Sequence, residues 1–170
     1  MTTPQHKGAR WYKCDLHLHT VASKCFQDKT VTAKQWVERA IQQGLDCVAV
    51  TDHNSNGFID EIKSAAENTS LIVFPGVEIT CDTSKIHLLI LFDCDKTSQD
   101  VNDFLVRAGI IRDKFGEQDA STVKSVFEIA ELAKSDGALV IPAHIDEFNG
   151  VNTLSPQNLE RFYELDNINA

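Results

Sequence analysis

Residues 15–20 read Asp15-Leu16-His17-Leu18-His19-Thr20, two imidazoles set two residues apart in an apolar alternation. That spacing predicts a strand over about residues 12–19, on which alternate side chains share a face. Asp15, His17 and His19 are expected on one side, and Cys14, Leu16 and Leu18 on the other. Two histidines so placed can grip one divalent cation, and a nearby aspartate can orient a ring. Alone, such a pair is more often just a polar strand face. The rest of the chain shifts that balance, because ligand-type residues recur where strands end.

Working outward, Thr32 with Gln35 three residues on forms a capping box. It opens a helix carrying Ala33, Trp36, Val37, Ala40 and Ile41 on one stripe, closed by Gly44. A strand from Leu45 to Thr51 then runs into Asp52-His53-Asn54. A helix near Phe58–Glu67 follows, then a strand at Leu71–Phe74, a turn at Pro75-Gly76, an extended Val77–Thr80 containing Glu78, and a strand at Ile86–Phe92 containing His87. Further helices are predicted near Gln99–Ala108, Ser121–Ser135 (Val123, Val126, Phe127 and Ala130 inward) and Leu154–Leu165, with 109–120 a loop. Strand Ala138–Ile141 leads to Pro142-Ala143-His144, and 166–170 reads as the approach to another strand. Strands alternating with helices predict an α/β domain with a largely parallel sheet or barrel.

The 170 residues suffice for one domain with a real core. Residues 1–10 lack the apolar stretch of a signal peptide and are expected as a flexible arm, with 11–170 as the domain. No apolar run approaches the roughly 18 residues of a membrane helix, so no membrane partner is expected. The 5 cysteines lack CxxC spacing and are expected as reduced cytoplasmic thiols. Cys14, Cys47 and Cys94 sit in or beside apolar runs and fit core packing; Cys25 does not. A net charge of −9 argues against a surface that coats nucleic acid. It does not exclude a phosphate substrate, because bound divalent cations would supply the attraction locally. No G-x-S-x-G, P-loop or G-x-G-x-x-G is present.

His17, His19, His53, Glu78, His87 and His144 thus stand at or near predicted C-terminal strand ends, where α/β folds build their sites. Imidazoles with a carboxylate favour zinc, manganese or iron over calcium or magnesium. Glu78 has two oxygens and can bridge two ions; such a pair, about 3.5–4 Å apart, activates water and clamps a phosphoryl group.

The motifs Asp15-Leu-His-Leu-His-Thr20, Gly44-Leu-Asp-Cys-Val-Ala-Val-Thr-Asp-His-Asn54, Pro75-Gly-Val-Glu-Ile79, His87-Leu-Leu89 and Pro142-Ala-His144 resemble, in order and spacing, those of the PHP (polymerase and histidinol phosphatase) superfamily. The segments 101–109 and 140–146 look most like the N-terminal PHP domains of TrlF-type proteins, in which an ATPase domain follows. The resemblance implies a distorted (β/α)7 barrel, two or three divalent transition metal ions (zinc, manganese or iron), and hydrolysis of a phosphate monoester or nucleic-acid phosphodiester. Carried over by motif, His17 and His19 bind one ion, Glu78 bridges it to a second held by His87 and His144, and His53 serves a third. Asp15 and Asp52 are then orienting groups. Two departures stand out. Cys25 occupies a place where a third-metal histidine can stand, and both a zinc ligand and a bystander fit it. The family's final D-x-H is absent from these residues, so the barrel is expected to be incomplete at its C-terminal end. An amidohydrolase-like metal hydrolase and a non-catalytic, metal-stabilised module of a larger ATPase-containing protein are the alternatives.

Overall fold

The computed structural model describes residues 11–168; the arm expected at 1–10 lies outside the described residues. Five strands form one curled sheet in the order β1-β2-β3-β4-β5, an open half-barrel. They are β1 (Cys14–Leu18), β2 (Cys47–Val50), β3 (Ile72–Thr80), β4 (His87–Leu91) and β5 (Leu139–Pro142). Helices α1 (Ala33–Gln42), α2 (Ile59–Ala66), α3 (Ser98–Ala108), α4 (Val126–Ser135) and α5 (Pro156–Tyr163) cover its outer face.

Periodicity explains the packing. Val37 and Ala40 of α1, Ile59 and Ile62 of α2, Val101, Phe104 and Leu105 of α3, and Ile129 and Ala130 of α4 are buried together with Val48, Val50, Val73, Val77, Leu88 and Ile90 of the strands. The intervening strand residues Ala49, Leu89 and Leu91 meet Leu16, Phe74 and Ile141 on the concave face. The capping box of Thr32 and Gln35 starts α1 as the sequence predicts.

Several expectations need correction. The sheet is mixed: β1, β2 and β3 are parallel, but β4 runs antiparallel to both β3 and β5. The short connection 81–86 leaves no room for a crossover helix, so the chain turns straight back. Pro75-Gly76 is no turn but the middle of β3. Residues 72–75 pair with β2 and 76–80 with β4, so the proline, which has no N–H, sits where the partner changes. Helix α4 starts later than predicted because the capping box of Ser125 and Glu128 fixes its first turn. Val123 consequently lies before the helix and is 88 % exposed rather than inward. Of the cysteines, Cys47 is buried but Cys14 and Cys94 are exposed, the first on edge strand β1 and the second in the turn after β4. Ile168 bridges Val140 in parallel, in the segment read as approaching a strand.

Strict alternation also fails in β1. Asp15 pairs with Val48 and Leu18 with Val50, so three steps on β1 match two on β2. This bulge turns the strand over. Leu16 packs on the concave cluster and Leu18 on the outer one, although the two should share a face.

Loops at the far end of β1 and β2 are tied by Gly116, whose N–H donates to the His53 carbonyl (3.0 Å) and whose carbonyl accepts from Lys24 N–H (2.8 Å). Its φ is +80°, and a Cβ there would lie 2.4 Å from the Ala22 carbonyl oxygen. Gly116→Ala is expected to destabilise the protein by roughly 2–4 kcal/mol, combining left-handed strain with a backbone clash. Urea denaturation of both forms measures it, and a change within error would contradict this account of the loop.

Candidate metal centre

Five imidazoles converge on the buried carboxylate of Glu78, which is 1 % exposed on the concave side of β3. Each arrives by a different backbone device. The bulge in β1 brings His17 to the face that Leu16 also lines, with its Nε2 3.0 Å from Glu78 Oε2. His19 follows one strand period later, its Nε2 3.3 Å from the same oxygen. His53 lies just past β2, where an isolated bridge to Glu78 prolongs the parallel pairing, and its Nδ1 stands 3.1 Å from Oε2. His87 opens β4. Because β4 is reversed, its first residue lies at the edge where the parallel strands end, and its Nδ1 is 2.7 Å from Oε1. His144 follows β5 with a positive φ of +27° and places Nε2 3.0 Å from Oε1. Three rings thus face one carboxylate oxygen and two face the other.

Such crowding is hard to reconcile with hydrogen bonding alone. The buried Nδ1 atoms of His53 and His144 have no hydrogen-bond partner, His53 Nδ1 being near Glu78 without the required alignment. The His53 nitrogen, which faces the carboxylate, calls for a further group between them, whereas His144 Nδ1 is the other ring nitrogen from the Nε2 that faces Glu78. Two sets, His17/His19/Glu78 and His53/Glu78/His87, bring their ligand atoms within 4.8 Å of one another and share the carboxylate. Nitrogen donors beside one bridging-capable carboxylate suit a divalent transition metal ion. His53, rather than His144, joins His87 in the tighter set, which differs from the pairing carried over by motif.

Electrostatics agree with that donor chemistry. Burial opposes the Glu78 charge, but the close imidazoles of His17, His19 and His87 and the neighbouring His53 outweigh it, so the carboxyl stays far below the usual carboxylate range. Burial, with the neighbouring rings of His19, His87 and His17 acting in the same direction and Glu78 against them, pushes His53 down to about 4, which leaves its ring neutral and its lone pair available at neutral pH. The hydrogen bond to Glu78 raises His17, against its burial.

The remaining sequence candidates behave differently. Asp15 does not reach a ring; its Oδ1 accepts from the backbone N–H of His17 (3.3 Å). Asp52, 1 % exposed, accepts from the Thr20 N–H (2.7 Å), the Thr20 hydroxyl (2.5 Å), the Ser23 N–H (3.0 Å) and the Ser23 hydroxyl (2.6 Å). Cys25 is exposed and belongs to neither ligand set.

Sequence reasoning missed the polar frame around the rings. Asn54, with φ +46°, holds the other loop: its Nδ2 donates to the carbonyls of Glu117 (2.9 Å) and Ala120 (2.8 Å), and its Oδ1 accepts from Thr80 N–H (3.1 Å). Asn149 accepts the His87 N–H on its carbonyl (2.9 Å) and sets its Nδ2 3.3 Å from that ring. Only the position of Asn54 beside His53 carried a signal.

The comparisons come to the same architecture. A sequence model of the PHP domain family matches residues 15–147. A 5'-3' exoribonuclease of Haemophilus influenzae is 33 % identical over 104 residues, covering 60 % of this chain and 36 % of the relative. The chain spans about a third of the length of the curated relatives it matches. Among solved structures, a candidate metal-dependent phosphoesterase from Bifidobacterium adolescentis superposes with a TM-score of 0.66 at 20 % identity, over 95 % of this chain and 78 % of that one. The lesion-specific endonuclease PfuEndoQ from Pyrococcus furiosus gives 0.64 at 18 % identity, over 87 % and 39 %. At these identities the two structures speak for the fold.

In metal-free protein, His53 stays neutral when folded and takes up a proton when unfolded between pH 6.5 and about 4. The unfolded chain binds more protons in that window, so His53 makes stability fall as pH falls. His17, raised by Glu78, works in the opposite sense, its contribution being full below pH 6.5 and lost as pH rises through its folded value. Melting temperatures of parent and His53→Gln between pH 4 and 7 isolate the His53 part. The variant is expected to lose less stability on acidification, and equal slopes would contradict the assignment.

Proposed function

The chain belongs to the PHP domain family, matched over residues 15–147, and on that premise we propose a metal-dependent phosphoesterase that cuts phosphodiesters of single-stranded nucleic acid. One observation carries the reading: five imidazoles aimed at a single buried carboxylate, split between its two oxygens. In this reading His17 and His19 would hold one ion together with Glu78, His53 and His87 would hold a second with the same carboxylate, and His144 would complete the Oε1 side. The number and identity of the ions, two or three of zinc, manganese or iron, belong to the proposal. Such ions, when bound, supply a water acidic enough to attack at neutral pH and positive charge against the phosphoryl oxygens.

The chain's own residues do the rest. Glu78 contributes one negative charge, so the site stays net positive once loaded and attracts an anionic ester despite the acidic surface. Neutral His53 keeps a nitrogen lone pair at working pH. Asp52 and Asn54 anchor the loops on either side of His53 and fix where its ring stands. No side chain among these is needed as a nucleophile.

Phe148 favours nucleic acid over a small monoester. It is 81 % exposed on the loop that begins at His144. Hydrogen bonds tie that loop down: Gly150 N–H donates to the Glu147 carbonyl (2.9 Å), Asn152 Nδ2 donates to Asp146 (2.7 Å), and neighbouring Asn149 accepts from the His87 N–H. An exposed aromatic ring on the loop that carries His144 and Asn149 offers a stacking surface for a base. The likeness to the Haemophilus exoribonuclease supports the same substrate class. The resemblance to TrlF-type proteins adds an ATPase domain as the proposed neighbour in the full protein.

Protein purified without chelators is expected to carry transition metal, and Glu78→Gln to lose more of it than any single histidine variant. Elemental analysis measures both; a variant that retains the parent's metal content would remove Glu78 from the bridge. In the full-length protein, metal-dependent hydrolysis of a single-stranded oligoribonucleotide is expected to exceed that of an anilide. Activity on the anilide alone would favour an amidohydrolase-like enzyme.

Phe148→Ala tests the stacking surface separately. Losing a stacked base costs about 1–3 kcal/mol, so KM for the oligonucleotide should rise roughly 5- to 150-fold. Hydrolysis of p-nitrophenyl phosphate, which has no base, should fall far less. Equal losses on both substrates would count against a base at Phe148.

A further inference from the structure

We propose that Ser23 is a positioning residue that locks His19 in the tautomer whose Nε2 faces the centre; the inference extends the metal-site reading above. Ser23 is fully buried in the loop after β1, and its hydroxyl meets three groups. Asp52 Oδ1 lies 2.6 Å away, the backbone nitrogen of His53 3.0 Å and His19 Nδ1 3.2 Å.

A hydroxyl has one proton to give and two lone pairs to accept with. The His53 N–H can only donate, which uses one lone pair. The proton must go either to Asp52 or to His19. Asp52 is the closer and the stronger acceptor, since every group that faces its oxygens is a donor: the Thr20 and Ser23 N–H groups and the two hydroxyls. Thr20 Oγ1 in turn accepts from Ala22 N–H (3.2 Å), consistent with its own proton pointing at Asp52. With the Ser23 proton committed, its second lone pair can only accept from His19, which must carry hydrogen on Nδ1.

The consequence reaches the centre. His19 with hydrogen on Nδ1 presents a bare lone pair at Nε2, the atom 3.3 Å from Glu78 Oε2. Two acceptors facing each other repel unless a cation lies between them, so the network prepares a ligand atom rather than a hydrogen bond. Asp52 therefore acts on His19 through Ser23. The same hydroxyl holds the backbone of His53, so one side chain sets two imidazoles on the Oε2 side.

Without the hydroxyl, His19 is free to move its hydrogen to Nε2 and donate to Glu78, which covers the ligand atom. Ser23→Ala should therefore switch the tautomer and weaken zinc binding by roughly 10- to 100-fold, the usual effect of removing such an outer partner.

Long-range 1H–15N spectra of the 15N-labelled chain, metal-free in mildly alkaline buffer, read the tautomer directly. The parent should show His19 with hydrogen on Nδ1 and Ser23→Ala with hydrogen on Nε2, while zinc competition against a chromophoric chelator reads the affinity. Hydrogen on Nε2 in the parent overturns the proposal whether or not the variant folds. So does a folded Ser23→Ala with unchanged tautomer and an affinity within twofold of the parent. A parent that binds no zinc would sink the metal reading itself, and the metal-free tautomer would still decide the role of Ser23.

Discussion

A buried carboxylate is costly unless its charge is met, and Glu78 sits at 1 % exposure on the concave face of the sheet. The surrounding structure is organised by that constraint. Imidazoles rather than lysines or arginines surround it, so the charge is met by rings that can be neutral and can present lone pairs. Hydrogen-bonded protons can satisfy part of the carboxylate, but not five rings together with the partnerless Nδ1 of His53 that faces it. A cation between ring nitrogens and carboxylate satisfies both sides, since each supplies an electron pair and neither has to supply a proton.

Bringing five rings to one point demands backbone irregularity. Regular β1 would direct His17 and Leu16 to opposite faces; the bulge gives both to the concave side. A fully parallel sheet would put His87, the first residue of β4, at the opposite edge from Glu78. The hairpin after β3 reverses β4 and brings it back, two residues of register from Glu78. His144 takes a left-handed backbone conformation just past β5. Such conformations cost about 1–3 kcal/mol and persist where the surroundings impose them, here at one of the five rings that face Glu78.

Asp52, His53 and Asn54 divide the labour of holding the site. Consecutive side chains point to three destinations: Asp52 to Thr20 and Ser23 in the loop after β1, His53 to Glu78, and Asn54 to the carbonyls of residues 117 and 120. One tripeptide therefore joins both loops to the centre. Gly116, bonded to the His53 carbonyl and to Lys24, closes the same ring of contacts from the backbone.

The sequence by itself determined the outer half of this architecture and the inventory of candidate ligands. Helix stripes such as Val101, Phe104 and Leu105, the Thr32–Gln35 cap and the hydrophobic strands are local patterns, each decided by neighbours a few residues away. The histidine and glutamate candidates were legible for a related reason: few residue types bind metal, and their placement after apolar runs is visible in one dimension. Tertiary structure alone decided direction and face. Whether β4 runs parallel or antiparallel, whether Pro75-Gly76 turns or extends, and which way Leu16 points depend on pairing with strands far along the chain, and local propensity does not encode that. The same holds for Ser23 and Asn149. A serine or asparagine acquires a role only when folding sets it beside an imidazole, because its hydrogen bond reaches barely 3 Å while its partners lie 4 to 62 residues away in sequence.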